Sequence, residues 1–403
     1  MVIPSDNRAN DYGEIKPLID LCKAGRLFDV QDWIADGKPI TPPPPPAKGA
    51  RKKCPLQVSI EKGFHSLVQV LLDSGALVQD GSFNALELAL GNRRLDLIKL
   101  LVEHGADVRS VYMTGVFDTW NPAIIEYFID QGADVETGYP LAGALCWKIR
   151  TALGVFKRHK NRFPSFQDQV NMALRHHCKE GNLKWVSLLL WAGADPFAKG
   201  PDSPDENPDP EEDLCALEYA ARYKHFDIFK LKNIRISPDH PIASDLLENA
   251  CRADKAEFLV ELLDQGFNPA EQKDHGSSLI QSCIQCMQWS FGYDWFTRER
   301  NSKDIDTSRS REALKIIHIL TKHGAKWAPT ERYQINDARR SLLKMSVDYT
   351  VEFVWIMAKY DGCSRDTIEQ LLRTPTIRRH IAKHQPRIQE LLKEFTSTPE
   401  DTS

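Results

Sequence analysis

Residues 97–108 read "LIKLLVEHGADV". Leu97, Ile98, Leu100 and Leu101 form a wide apolar stripe at helical spacing. Gly105 follows shortly, and glycine adopts the left-handed conformation that commonly ends a helix without the steric cost of a Cβ. Ala106 is small where a turn must pack tightly. Asp107 can accept hydrogen bonds from the backbone just beyond it. The segment therefore predicts a helix with a hard stop and a turn.

The same shape recurs along the chain. "LVQVLLDSGALV" begins at Leu67, "IIEYFIDQGADV" at Ile124, "WVSLLLWAGADP" at Trp185, "FLVELLDQGFNP" at Phe258 and "IIHILTKHGAKW" at Ile316. The stop glycines are Gly37, Gly75, Gly105, Gly132, Gly193, Gly266, Gly324 and Gly362, and Asn233 is expected to substitute for glycine between Gly193 and Gly266. Most intervals run from 27 to 40 residues; the two long ones, 61 and 58, are expected to hold a repeat plus an insertion. A second short helix precedes several stops, as in "ALELALGNRR" from Ala85, "ALEYAARYKH" from Ala216 and "LLENACRADK" from Leu246. Each unit is thus two short antiparallel helices and a turn. Such a unit cannot bury its own apolar face, so neighbours must stack to make a core. The expected fold is all-α, a helical repeat solenoid of about eight or nine helix pairs.

The array resembles the ankyrin-repeat family. That unit opens with a Thr-Pro-Leu-His-x-Ala helix and closes with Leu-Leu-x-x-Gly-Ala-Asp. Residues 100–107 and 189–195 match the closing half. The opening half is degraded: "CPLQVSI" from Cys54, "NALELAL" from Asn84 and "CALEYAA" from Cys215 keep the Leu and a small residue but lack the Thr and His. The resemblance covers residues 15–362 and is strongest over 56–196. It implies finger turns beside a concave surface and a role in binding another protein.

The organisation read from the sequence follows from these stops. Residues 1–14 are a flexible N-terminus, 15–40 a divergent capping repeat and 41–53 a Pro-rich basic linker. Ankyrin-type repeats are expected over 54–140, a basic helical insertion over 141–168 and a further repeat over 169–199. The acidic Pro-rich loop 200–213 has a composition that cannot bury a core. Divergent repeats fill 214–362, with an aromatic insertion over 289–311 that is either a satellite core or a partner anchor. Capping helices over 363–395 and a disordered tail, 396–403, complete the chain. The proline run "TPPPPP" favours polyproline II, either as a loop or as a ligand of SH3 or WW type.

Composition narrows the function classes. The net charge is −4 and charged residues make up 27 %, so phosphate binding would need a local patch. Nine scattered cysteines fit free thiols in a reducing, cytoplasmic setting. The first residues lack the apolar core of a signal peptide, and no apolar run is long enough to span a membrane. Cys283 and Cys286 form a lone CxxC without the further ligands zinc needs, and read as core cysteines. No phosphate-loop, dinucleotide, zincin or nucleophile-elbow motif occurs. The reading is therefore non-catalytic, with no cofactor, no metal and no small-molecule substrate.

Binding remains. The finger turns should carry "RSVYMTGVFDTW", "ETGYP" and "FAKG". Tyr112, Trp120 and Tyr139 are large amphipathic anchors there, although Trp120 would instead pack within a shortened helix if the 27-residue interval demands one. Trp147 and the basic residues Lys157, Arg158 and Lys160 complete the expected surface for a protein partner. The second reading is nucleic-acid or nucleoprotein engagement through the basic stretch 148–162, which would otherwise be a solvated helix face; by analogy with the family, a regulatory subunit of a multi-protein enzyme complex is a further alternative.

Overall fold

The computed structural model describes residues 8–44, 53–79, 83–204, 214–252, 255–270, 278–289 and 307–394. Among these residues the protein is all-α, with no strand and three isolated bridges. The chain divides into two compact units, one from Met1–His177 with Lys184–Leu214, the other from Cys178–Leu183 with Cys215–Ser403.

The first unit is a stack of helix pairs: α1 (Tyr12–Ala24) with α2 (Leu27–Ala35), α3 (Pro55–Lys62) with α4 (His65–Asp73), and α5 (Ala85–Gly91) with α6 (Leu95–Glu103). Then follow α7 (Met113–Phe117) with α8 (Pro122–Asp130), α9 (Pro140–Cys146) with α10 (Arg150–His159), and α11 (Phe166–Lys179) with α12 (Leu183–Ala192). Odd-numbered helices touch in succession from α1 to α9, and even-numbered ones touch likewise, as α2 with α4, α4 with α6 and α8 with α10. The odd-to-even turns therefore align on one edge, and the even-to-odd loops on the other.

In the second unit α13 (Ala216–Arg222) is followed by a 3-10 turn, Phe226–Lys230, in place of a full second helix. The pairs α14 (Ala243–Arg252) with α15 (Ala256–Asp264), α16 (Leu279–Trp289) with α17 (Thr307–Lys322), and α18 (Arg332–Lys344) with α19 (Val347–Lys359) come next. The end is packed by α20 (Arg365–Leu372), α21 (Pro375–His380) and α22 (Gln385–Glu394), with α20 on α18 and α22 on α19. Trp327 is fully buried; its indole donates to Gln281 Oε1 at 2.9 Å and its backbone N–H donates to Gly362 O.

The stop glycines have the conformation their chemistry predicts. Gly75, Gly105, Gly132, Gly193, Gly266 and Gly324 all have positive φ, from +82° to +109°. At Gly105 the N–H donates to Val102 O at 2.9 Å, and Ala106 N–H reaches back to Leu101 O at 3.0 Å, which satisfies the end carbonyls of α6. Asp107 accepts from Arg109 N at 2.9 Å and sets the turn that follows.

Four expectations are corrected. Residues 141–168 are not an insertion: α9 and α10 are a pair packed like the others, α9 on α7 and α10 on α8. The pair closes at Lys160, which is right-handed with φ −53°, so no glycine marks it, and the first unit holds six pairs rather than five. Asn233 is not left-handed. The last stop is Asp361 at φ +51°; Gly362 is needed for space, since a Cβ there would meet Thr321 and Met357 side chains at 2.8 Å. Residues 8–14 are held in place rather than loose: Ala9 N–H donates to Thr41 O at 2.9 Å and Asp11 caps α1. The aromatic insertion beyond Trp289, the acids of 205–213, the prolines of 45–50 and the tail from 395 lie outside the described residues.

Candidate protein-interaction surface

The predicted anchors occupy both ends of two neighbouring odd-numbered helices. Tyr112 is the residue before α7 and is 85 % exposed; Tyr139 is the residue before α9 and is 42 % exposed. Both stand on the even-to-odd loop edge. Trp120 and Trp147 stand at the other ends of α7 and α9, 48 % and 74 % exposed, on the opposite edge. The placement of Trp120 in a finger turn is thereby corrected. Helix α7 has only five residues, so the chain crosses the face of the stack between Tyr112 and Trp120.

The face between these aromatics is open. A groove of about 480 Å³ lies between α5 and α7, with Glu87, Gly91, Arg93, Tyr112, Gly115 and Asp118 among its walls. Gly91, Gly115 and Gly143 sit on α5, α7 and α9 with right-handed backbone, and a Cβ on any of them would enter open space. Helix propensity alone favours alanine at such positions by about 0.5–1 kcal/mol. The glycines lower the floor of the face and leave open space above the helix backbones.

The basic residues are less available than their sequence suggests. Lys157 on α10 places Nζ over the exposed ring of Trp191. Arg158 pairs with Glu126 at 2.8 Å, His159 meets the other oxygen of the same carboxylate at 2.6 Å, and Arg162 approaches Asp130 at 3.6 Å. Helix α10 thus uses much of its charge to clamp onto α8. Lys160, at its C-terminus, remains exposed.

A second groove, of about 590 Å³, lies between α20 and α22, but Arg365 there is already paired with Glu369 at 2.7 Å. All nine cysteines are free thiols, eight buried and Cys286 half-exposed. Burial pushes the thiols of Cys22 and Cys178 up, and those of Cys215 and Cys363 up to about 12, so they are protonated and poorly nucleophilic. Among the described residues no three His, Cys, Asp or Glu side chains gather as a metal site, and no helix is long and apolar enough to cross a membrane.

Sequence reasoning missed Trp191, Arg93 and the glycine floor. These glycines lacked a signal because Gly91 resembles a helix stop, and Gly115 and Gly143 resemble loop residues. The fold and this face define a protein built of stacked helix pairs with an open side formed by alternate helices. No protein-family model matches the chain and no curated protein matches it. Among solved structures it is similar to the crystal structure of the human ASB11 ankyrin repeat domain, at 18 % identity over 66 % of this chain and 90 % of that chain, with a TM-score of 0.21.

Proposed function

We propose that the chain is a non-catalytic, divergent ankyrin-type module that binds another protein across the face formed by α5, α7 and α9. The observation that carries this reading is the open face itself: helix glycines with open space above them, flanked by Tyr112 and Tyr139 on one edge and by Trp120 and Trp147 on the other. Large aromatics supply much of the energy of protein interfaces, and a solvent-exposed indole or phenol is ready to be buried by a partner. The ankyrin assignment is supported by helix pairs closed by left-handed glycines and by the Gly-Ala-Asp turns. A cytoplasmic setting suits nine free thiols. The nucleic-acid reading is weakened by the ion pairs that Arg158 on α10 and Arg162 just beyond it make with Glu126 and Asp130.

The test is affinity capture of the tagged full chain, with quantitative mass spectrometry of what it retains. The double variant Tyr112→Ala, Tyr139→Ala should lose the specifically retained protein with its melting temperature nearly unchanged. Capture of the same protein by that variant sinks the assignment. Capture that collapses between low and moderate salt and requires nucleic acid turns the reading to phosphate binding.

A further inference from the structure

One turn position in the stack carries an unusual set of residues. The turn from odd to even helix contains one left-handed residue in most pairs. It is Gly25 after α1, Gly63 after α3 and Gly181 after α11. In the three consecutive pairs between, it is Arg93 (φ +52°), Trp120 (φ +57°) and Lys148 (φ +67°). Glycine takes this conformation without strain, whereas a residue with a Cβ does not. Three neighbouring turns thus forgo the relaxed residue for a long cation or an indole, and all three side chains are exposed. Strained backbone of this kind clusters at binding sites; in the second unit the same turn position after α13 carries Lys224 (φ +68°).

The surroundings say what is wanted. Trp147 precedes Lys148 and is exposed, so two indoles lie between the cations Arg93 and Lys148 along one edge. Arg94 is held by Asp96, whose carboxyl the Arg94 guanidinium brings down to about 2. Arg93 and Lys148 have no such partner among the described residues. Their charge is therefore available to a ligand.

We infer that the turn edge of Arg93, Trp120, Trp147 and Lys148 binds an extended acidic segment of a protein partner, its carboxylates on the cations and its apolar side chains on the indoles. This rests on the reading of the chain as a protein-interaction module and names the chemistry of its partner. Packed helices lie about 8–10 Å apart, and an extended chain advances about 3.3 Å per residue. Arg93 and Lys148 stand two pairs apart with Trp120 between them, so acids about six residues apart, with an apolar side chain midway, would meet all three. A nucleic-acid backbone fits the edge less well, because its closely spaced phosphates would also meet the carboxylates of Asp96 and Asp118, both exposed there. A peptide can place neutral residues opposite them.

The probe is a fluorescein-labelled peptide of repeating Glu-Ser-Ser-Tyr-Ser-Ser hexamers, followed by anisotropy with the full chain. The same peptide with Gln for Glu and a single-stranded thymidine oligonucleotide are the counter-probes. The acidic peptide should bind, and the Gln peptide should bind about tenfold or more weakly. The combined variant Arg93→Gly, Trp120→Gly, Lys148→Gly should lose about tenfold or more in affinity while its melting temperature stays level or rises. A second variant, Arg93→Glu with Lys148→Glu, keeps the indoles and should also lose the peptide. Equal binding of the Gln peptide, unchanged binding by the glycine variant, or tighter binding of the oligonucleotide would each overturn the inference. So would a lowered melting temperature with binding intact, since the side chains would then serve the fold. Failure here leaves the Tyr112- and Tyr139-dependent capture standing, and loss of that capture with the peptide still bound would remove only the groove reading.

Discussion

The side-chain amide of Gln169 caps a helix that begins 29 residues before it: its Oε1 accepts the backbone N–H of Leu141 at 2.8 Å and of Ala142 at 3.2 Å. Tyr139, the residue at the cap position of α9, is left-handed and contributes no side-chain cap. The Gln169 amide nitrogen donates to Val135 O at 3.1 Å, so one fully buried side chain serves the loop and the helix together. An uncapped buried N–H costs about 1–3 kcal/mol. Gln169→Leu should therefore lower unfolding free energy by about 2 kcal/mol or more by chemical denaturation. Exchange of the Leu141 and Ala142 amides should accelerate in the same variant; unchanged protection would show that another group replaces the cap.

Gly105→Val should destabilise by about 1–2 kcal/mol, because a β-branched residue is strained at positive φ. The space above Gly105 is empty, so the loss would come from backbone strain rather than a clash. Denaturation midpoints of the Val and Ala variants separate these causes: similar losses point to backbone strain, a much larger loss for Val to crowding.

Gly115→Ala and Gly143→Ala should act in opposite directions on stability and binding. Each adds a methyl in open space on a helix and should raise stability by about 0.5–1 kcal/mol. If these glycines form the floor of a binding face, partner capture should weaken in the more stable proteins. Tighter capture would place the partner elsewhere.

The stops at Gly75, Gly105, Gly132, Gly193, Gly266 and Gly324 were legible because chirality ties glycine to the left-handed end of a helix. The pair α9 and α10 was not, because its closing turn at Lys160 stays right-handed and needs no marker residue. Asn233 misled for a related reason: the preceding segment forms a 3-10 turn, which ends without a left-handed residue. The exposure of Tyr112, Tyr139, Trp120 and Trp147 was legible in the sequence. Their division between two edges was not, because it depends on α7 being only five residues long. The strain at Arg93 and Lys148 has no sequence signature at all.

His318 should make the second unit acid-sensitive. Its Nε2 lies 3.0 Å from the Tyr360 hydroxyl, and burial, with Lys322 and Lys359 nearby, holds its pKa below the ordinary value. Protonation then favours the unfolded chain. The stabilisation is complete above about pH 6.5 and is lost as pH falls through the folded-state value. Melting temperature should drop between pH 7 and pH 5 more in the natural protein than in His318→Gln. Equal slopes would mean other groups set the acid limit.

Iodoacetamide under native conditions should label Cys286 first. The thiols of Cys178, Cys215 and Cys363 are buried and held in the protonated form, so they should react only on unfolding. Peptide mass spectrometry over time gives the order, and early labelling of Cys215 would reveal local opening around α13.

The bonds between neighbouring pairs set how soon each part of a growing chain can close. In the first unit the cross-links from Asn84, Gln169 and His177 join residues 26 to 34 positions apart. A nascent chain needs only about one more pair before the preceding one has its partners, and short separations favour rapid folding. In the second unit Trp327 waits for Gln281 across 46 residues, and Ser341 for Ile284 across 57. Helix α16 must stand with an uncovered apolar side until α17 and α18 have been synthesised, so during translation this is the part of the chain with most need of a chaperone.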